Sequence, residues 1–85
     1  MSDFKIQYAR SAEKELDKLP RSAVLRIRSA IDGLVTNPHP RGSKKLQGED
    51  DTYRIRVGDY RVIYEVHQKE IVVLIVRIRH RKDAY

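Results

Sequence analysis

Three runs rich in β-branched and aromatic residues, Thr52 to Val57, Tyr60 to Val66 and Ile71 to Ile78, follow one another with only Gly58-Asp59 and His67-Gln68-Lys69-Glu70 between them. A parallel crossover needs roughly a dozen residues or more, so turns this short force neighbouring runs to pair antiparallel, as a meander. In the middle run Tyr60, Val62, Tyr64 and Val66 share one apolar face. From Ile71 to Val76 the third run is apolar without alternation, which predicts a strand inside the sheet, covered on both faces.

Before the meander the pattern changes. Phe4, Ile6 and Tyr8 alternate with Lys5 and Gln7, giving a first strand over residues 3–8. Ser11 is placed to cap a short helix on which Ala12, Leu16 and Leu19 recur at helical spacing, ending at Pro20. Pro20 also fits the first turn of a second helix, along which Val24, Ile27, Ile31 and Leu34 form one apolar stripe. Asn37-Pro38-His39-Pro40-Arg41-Gly42 ends that helix in a surface loop, and regular structure resumes near Lys44. Glu49-Asp50-Asp51 reads as a solvated turn. Strand, two helices in a hairpin, then strands is an α+β order.

A chain of 85 residues has room for one domain, 1–85, with one site or one binding face. It has no cysteine, so neither disulfides nor thiolate-bound metal can hold it together, and packing must do so alone. The longest apolar run, Ile71 to Val76, is six residues, against the about 20 of a membrane span. No signal-peptide pattern opens the chain, which therefore reads as cytoplasmic with no membrane partner. A formal charge of +6 points to a nucleic acid or an acidic protein as partner.

The pattern of arginines is more informative than their number. Arg54 and Arg56 share a face of one strand, Arg61 leads the next, and Arg77, Arg79 and Arg81 share parity at the end of the last. Like charges on neighbouring strands repel, so convergence of these guanidinium groups suggests an absent polyanion whose phosphates they contact. The competing interpretation is a solvated polar face balanced by Glu65, Glu70 and Asp59. Tyr60 and Tyr64 read as core by parity, Tyr53 is open between core and surface, and Tyr85 follows charged residues at the chain end. His39 and His67 fall in a loop and a turn. His80 lies between Arg79 and Arg81, as a proton-transfer group or a further RNA contact. Histidines at 39, 67 and 80 have no metal-ligand spacing, and neither a metal nor a cofactor is expected.

Lys45-Leu46-Gln47-Gly48, the run Tyr53-Arg54-Ile55-Arg56-Val57-Gly58-Asp59-Tyr60-Arg61-Val62-Ile63-Tyr64-Glu65-Val66, and the ending Arg79-His80-Arg81-Lys82-Asp83-Ala84-Tyr85 together resemble the RelE/ParE superfamily of type II toxins, on the RelE side. The preceding strand and helical hairpin agree in order and length. The resemblance implies a microbial ribonuclease-like fold, a two-helix hairpin packed on a twisted antiparallel sheet. It also implies entry into the ribosomal A site, cleavage of translated mRNA, and inhibition by a cognate acidic RelB-like antitoxin.

By the same resemblance the catalytic set is Arg54, Arg56, Arg61, Arg81 and Tyr85, with His80 as a further candidate. Lys44, Lys45, Arg77, Arg79 and Lys82 form the RNA- and ribosome-binding set. The chemistry implied is metal-free attack of a ribose 2′-hydroxyl on the adjacent phosphate, with Arg61 and Arg81 clamping the phosphoryl oxygens. Where the best-known RelE enzymes carry lysines this chain has Arg54 and Arg56, which hold their protons too tightly to act as a base. Tyr85 and His80 are the remaining candidates for that role. The alternatives are a ParE-like poison of DNA gyrase on the same fold, and a weakly catalytic module that acts as an antitoxin-bound operon repressor.

Overall fold

The computed structural model describes residues 3–46, 48 and 51–83. Strand β1 (Lys5–Tyr8) leads into helices α1 (Arg10–Asp17) and α2 (Arg21–Asp32), and a 3-10 turn, Gly33–Val35, ends the hairpin. Strands β2 (Lys44–Lys45), β3 (Thr52–Val57), β4 (Tyr60–His67) and β5 (Val72–His80) follow, and a second 3-10 turn spans Arg81–Asp83. The sheet order is β1-β5-β4-β3-β2.

The meander forms as its turns require, with β3–β4 and β4–β5 antiparallel. The Gly58-Asp59 turn has glycine at its first central position with φ 60, the backbone state a two-residue hairpin of this kind needs. The sheet as a whole is mixed, however, because β1 pairs parallel to β5, Ile6 opposite Val73 and Tyr8 opposite Ile75. The helical hairpin brings the chain back to where β1 began, where the Phe4 N–H donates to the Val35 carbonyl at 2.8 Å. That bond also shortens the expected strand 3–8, since Phe4 is tied to the hairpin rather than to β5.

Both helices pack on one face of the sheet. Ala12 and Leu16 of α1, with Ile27, Ile31 and Leu34 of the second stripe, are fully or almost fully buried against Ile55, Val62, Tyr64, Val66, Val73, Ile75 and Ile78. Val24 and Leu19 lie at the margin of this core. The expectation that β5 is covered on both faces fails on one side: it lies inside the sheet, but Val72, Leu74 and Val76 remain half-buried because no second layer covers them. Ile71 belongs to the turn, with φ 57, so β5 begins one residue later than its apolar run.

Two local expectations are corrected. Ser11 does not cap α1; the helix starts at Arg10 with Ala9 at the cap position, and the Ser11 hydroxyl donates instead to the Val76 carbonyl of β5 at 2.8 Å. Pro20 occupies the cap position of α2 rather than its first turn, and α1 ends at Asp17. In the acidic turn Asp51 is exposed and its carbonyl accepts from Val66 N–H at 2.8 Å, whereas Glu49 and Asp50 lie outside the described residues. No helix among the described residues is long and apolar enough to cross a membrane.

Tyr64 ties the proline loop to the core. Its side chain is 0% exposed and its hydroxyl donates to the Pro38 carbonyl at 2.7 Å. Burial pushes the phenol up to about 12, whereas a tyrosine in the unfolded chain ionises near about 10. Between those values the unfolded chain loses a proton that the fold retains, so stability falls as pH rises through this window. Tyr64→Phe should lower the unfolding free energy at neutral pH by about 1 to 3 kcal/mol, by orphaning a buried carbonyl. The variant should also lose the extra decline of the wild type between about pH 10 and about pH 12; identical alkaline limbs in denaturant titrations would show that the fold does not hold this phenol neutral.

Candidate functional site

Cross-strand register determines which side chains share the face that the helices leave open. Lys44 stands opposite Arg54, Arg54 opposite Ile63, and Ile63 opposite Arg77; one step along the sheet, Arg56 stands opposite Arg61 and Arg61 opposite Arg79. Residues directly opposite share a face, with Cβ atoms about 4.5 to 5.5 Å apart. Two neighbouring rows therefore carry five arginines and a lysine. The last two arginines reach this face through an irregularity: Tyr64 pairs with Ile75 but Ile63 with Arg77, leaving Val76 as an extra residue. This bulge lets both Ile75 and Ile78 point into the core while Arg77 and Arg79 point away from it.

At the upper end of these rows Arg56, Arg61 and Arg81 line one open depression of about 230 Å³ with Gly58, Asp59 and Tyr60. The β3–β4 turn fixes Arg81. Its backbone N–H donates to the Asp59 carbonyl at 2.7 Å, and its Nε lies 4.0 Å from Asp59 Oδ1. The turn in turn rests on α2: a Cβ at Gly58 would lie 3.0 Å from Nη2 of Arg26, so the guanidinium packs directly on the glycine.

Of the anticipated counter-ions, Asp59 meets an arginine in its exposed pair with Arg81, whereas Glu65 turns to a histidine. Glu65 bonds His67, Oε1 to Nε2 at 2.8 Å, and Asp51 lies 3.9 Å from the same ring. Glu15 of α1 instead approaches Arg77 Nη1 and Arg79 Nε, each at 3.6 Å. Arg54 and Arg56 have no ion-pair partner among the described residues.

Several candidates stand elsewhere. His80 pairs with Tyr60 on the helix-side face, its ring edge-on to the tyrosine with centroids 5.2 Å apart. Its Nδ1 accepts the Lys82 N–H at 3.1 Å, so a neutral ring carries its proton on Nε2. Lys45, opposite Tyr53, is also on the helix side, and Lys82 is exposed in the final 3-10 turn. Tyr53 resolves toward the core, its ring 6.0 Å from Tyr64 and 4.5 Å from His39. Tyr85 lies outside the described residues. Among the described residues no His, Asp or Glu cluster could hold a metal ion.

Sequence reasoning missed Glu15 and Arg26. Neither belongs to a local motif, and Glu15 meets its strand partner across 63 positions of chain. The sequence carried no signal for Glu15, because the strand edge it covers arises only when a four-residue β1 pairs alongside a nine-residue β5, and that pairing is not encoded locally.

Comparison with known proteins finds relatives that match over most of the chain. Residues 6–85 match the family described as the ParE toxin of the type II toxin-antitoxin system parDE. Toxin RelE3 of Methanocaldococcus jannaschii is 33% identical over 86 residues, covering 96% of each chain. Toxin RelG of Mycobacterium tuberculosis is 28% identical over 83 residues, covering 96% of this chain and 95% of its own. In a crystal structure of the archaeal RelE-RelB complex from Pyrococcus horikoshii, the matching chain superposes with a TM-score of 0.84 at 34% identity, covering 96% of this chain and 99% of that one.

The arginine rows carry a stability cost that can be measured. Arg56 stands directly opposite Arg61, so Arg56→Gln should stabilise the fold by roughly 0.2 to 1 kcal/mol in low salt. The gain should shrink as salt screens the pair, with a Debye length of about 3 Å at 1 M. A variant less stable than the wild type at every ionic strength would mean that Arg56 contributes packing that outweighs the repulsion.

Proposed function

This chain belongs to the RelE/ParE family of type II toxins, and from that premise we propose that it is a ribosome-dependent endoribonuclease that cuts translated mRNA in the A site. The observation that carries this reading is the convergence of Arg56, Arg61 and Arg81 on one open depression. Three cations around a space of this size suit a phosphate whose charge rises during reaction.

In the proposed reaction the ribose 2′-oxygen forms a bond to the adjacent phosphorus while the bond from phosphorus to the 5′-oxygen breaks. The products are a 2′,3′-cyclic phosphate and a free 5′-hydroxyl. Arg61 and Arg81 hold the non-bridging oxygens, and Arg54 and Arg56 bind the flanking backbone with Lys44. The 2′-hydroxyl must give up a proton and the leaving oxygen must gain one. Tyr85 and His80 are the candidates for these transfers. With its Nδ1 accepting the Lys82 N–H, a neutral His80 presents an N–H and no open lone pair at Nε2, which counts against it as the base. Arginines supply the positive charge, and the reading calls on neither metal nor cofactor.

An acidic RelB-like antitoxin is the proposed partner in the cytoplasm, wrapping the toxin and ordering as it binds. Such a partner complements a chain of net charge +6. The description of the matching family as ParE keeps a gyrase poison as the competing reading.

Mapping transcript ends after induction separates the two. Cuts within codons of translated messages are expected, whereas a DNA damage response without cuts would replace this reading by the gyrase one. In single-turnover reactions at saturating ribosomes, Arg81→Ala should cleave about 100- to 1,000-fold more slowly with its fold intact. Cleavage at the wild-type rate would reduce Arg81 to a docking residue.

A further inference from the structure

Three consecutive residues of β5 converge on one carboxylate. Glu15 Oε1 accepts the Ile78 N–H at 2.8 Å, while Oε2 lies 3.6 Å from Arg77 Nη1 and 3.6 Å from Arg79 Nε. Ile78 points into the core and the two arginines to the other face, so Glu15 sits at the strand edge between them. Its backbone bond and its 23% exposure separate this carboxylate from an ordinary surface partner, because the side chain is already ordered before either arginine approaches.

We propose that Glu15 is a specificity-determining residue, which by holding Arg77 and Arg79 at the β5 edge removes two cations from the RNA-facing set and weakens binding to free single-stranded RNA. This inference rests on the reading of the open face as an RNA site. Arg54 and Arg56 stay directed at the substrate, while the outer pair is neutralised from behind. Discrimination is a difference of affinities, and suppressing a general electrostatic attraction weakens every wrong RNA together. The ribosome, which presents RNA in a fixed geometry, depends less on that attraction.

The test measures binding of the full chain to a single-stranded RNA with 2′-O-methyl groups, which remove the attacking hydroxyl, across a range of salt concentrations. In Glu15→Gln the amide oxygen can still accept from Ile78 while the charge is gone. Two released arginines should steepen the log-log salt slope by about 1.4, at about 0.7 per phosphate neutralised on a single strand. Adding Arg77→Gln and Arg79→Gln to that variant should restore the wild-type slope. A purely structural role would lower the melting temperature and leave the slope unchanged. Should Glu15→Gln fail to fold, Arg77→Gln/Arg79→Gln in the wild-type background gives the answer: an unchanged slope supports the inference, and a slope shallower by about 1.4 overturns it. A wild type without salt dependence would overturn the RNA reading itself, whereas a steep slope that Glu15→Gln leaves unaltered would overturn only the role of Glu15.

Discussion

The uncovered edge of β5 is the constraint that organises the molecule. β1 pairs with β5 only as far as Ile75, yet β5 continues to His80, so backbone groups at its outer edge need partners from somewhere other than a strand. Helix α1 and its cap supply them. Ala9 N–H donates to Ile75 O, the Ser11 hydroxyl donates to Val76 O, and Glu15 accepts from Ile78 N–H, each at 2.8 Å. An orphaned buried backbone group costs about 1 to 3 kcal/mol. These contacts therefore fix where α1 lies along the sheet, and Ala12 and Leu16 enter the core from that position. Polar and apolar demands agree, as they must in a core this small.

What the fold brings together on the other face works against its own stability. Arg56, Arg61 and Arg79 stand side by side across three strands, with Lys44, Arg54 and Arg77 in the neighbouring row. For a domain whose whole stability is of order 5 to 15 kcal/mol, a few repulsive pairs at up to about 1 kcal/mol each are tolerable but not negligible. The arrangement makes sense if binding of an anion relieves it, and a residue that spoils local stability at a converging site is where function is expected to appear.

Most of the layout was legible in the sequence because it depends on period and turn length. The bounds of β3 are those of the run Thr52–Val57, and the stripe Val24, Ile27, Ile31, Leu34 packs as its spacing requires. The face shared by Arg54 and Arg56 followed from parity alone. What escaped depends on contacts between distant segments. Ser11 looks like a cap and is instead a strand-edge donor, because a β5 carbonyl lies within reach. The parallel pairing of β1 depends on the route of the helical hairpin, which no local pattern encodes. His80 looked embedded among cations in the sequence; its register opposite Tyr60 sets it on the helix side. The apolar run of β5 suggested two covered faces, but hydrophobicity does not reveal that one layer is missing.

Two kinds of arginine coexist on the open face, and the difference lies in the carboxylates behind them. Asp59 meets Arg81 at 4.0 Å with the two side chains 65% and 66% exposed, a pair whose ionic part is worth at most about 1 kcal/mol in water. Glu15 is 23% exposed and anchored by a backbone bond, so it is already held beside Arg77 and Arg79 and gives up less entropy in pairing with them than a free surface carboxylate would. A phosphate approaching Arg81 has a weak, solvated competitor to displace, and a charge-assisted bidentate contact outweighs it. One approaching Arg79 must also compensate Glu15. The same sheet can thus present guanidinium groups that exchange partners readily beside others that do not, through the placement of two acidic residues rather than of the arginines themselves.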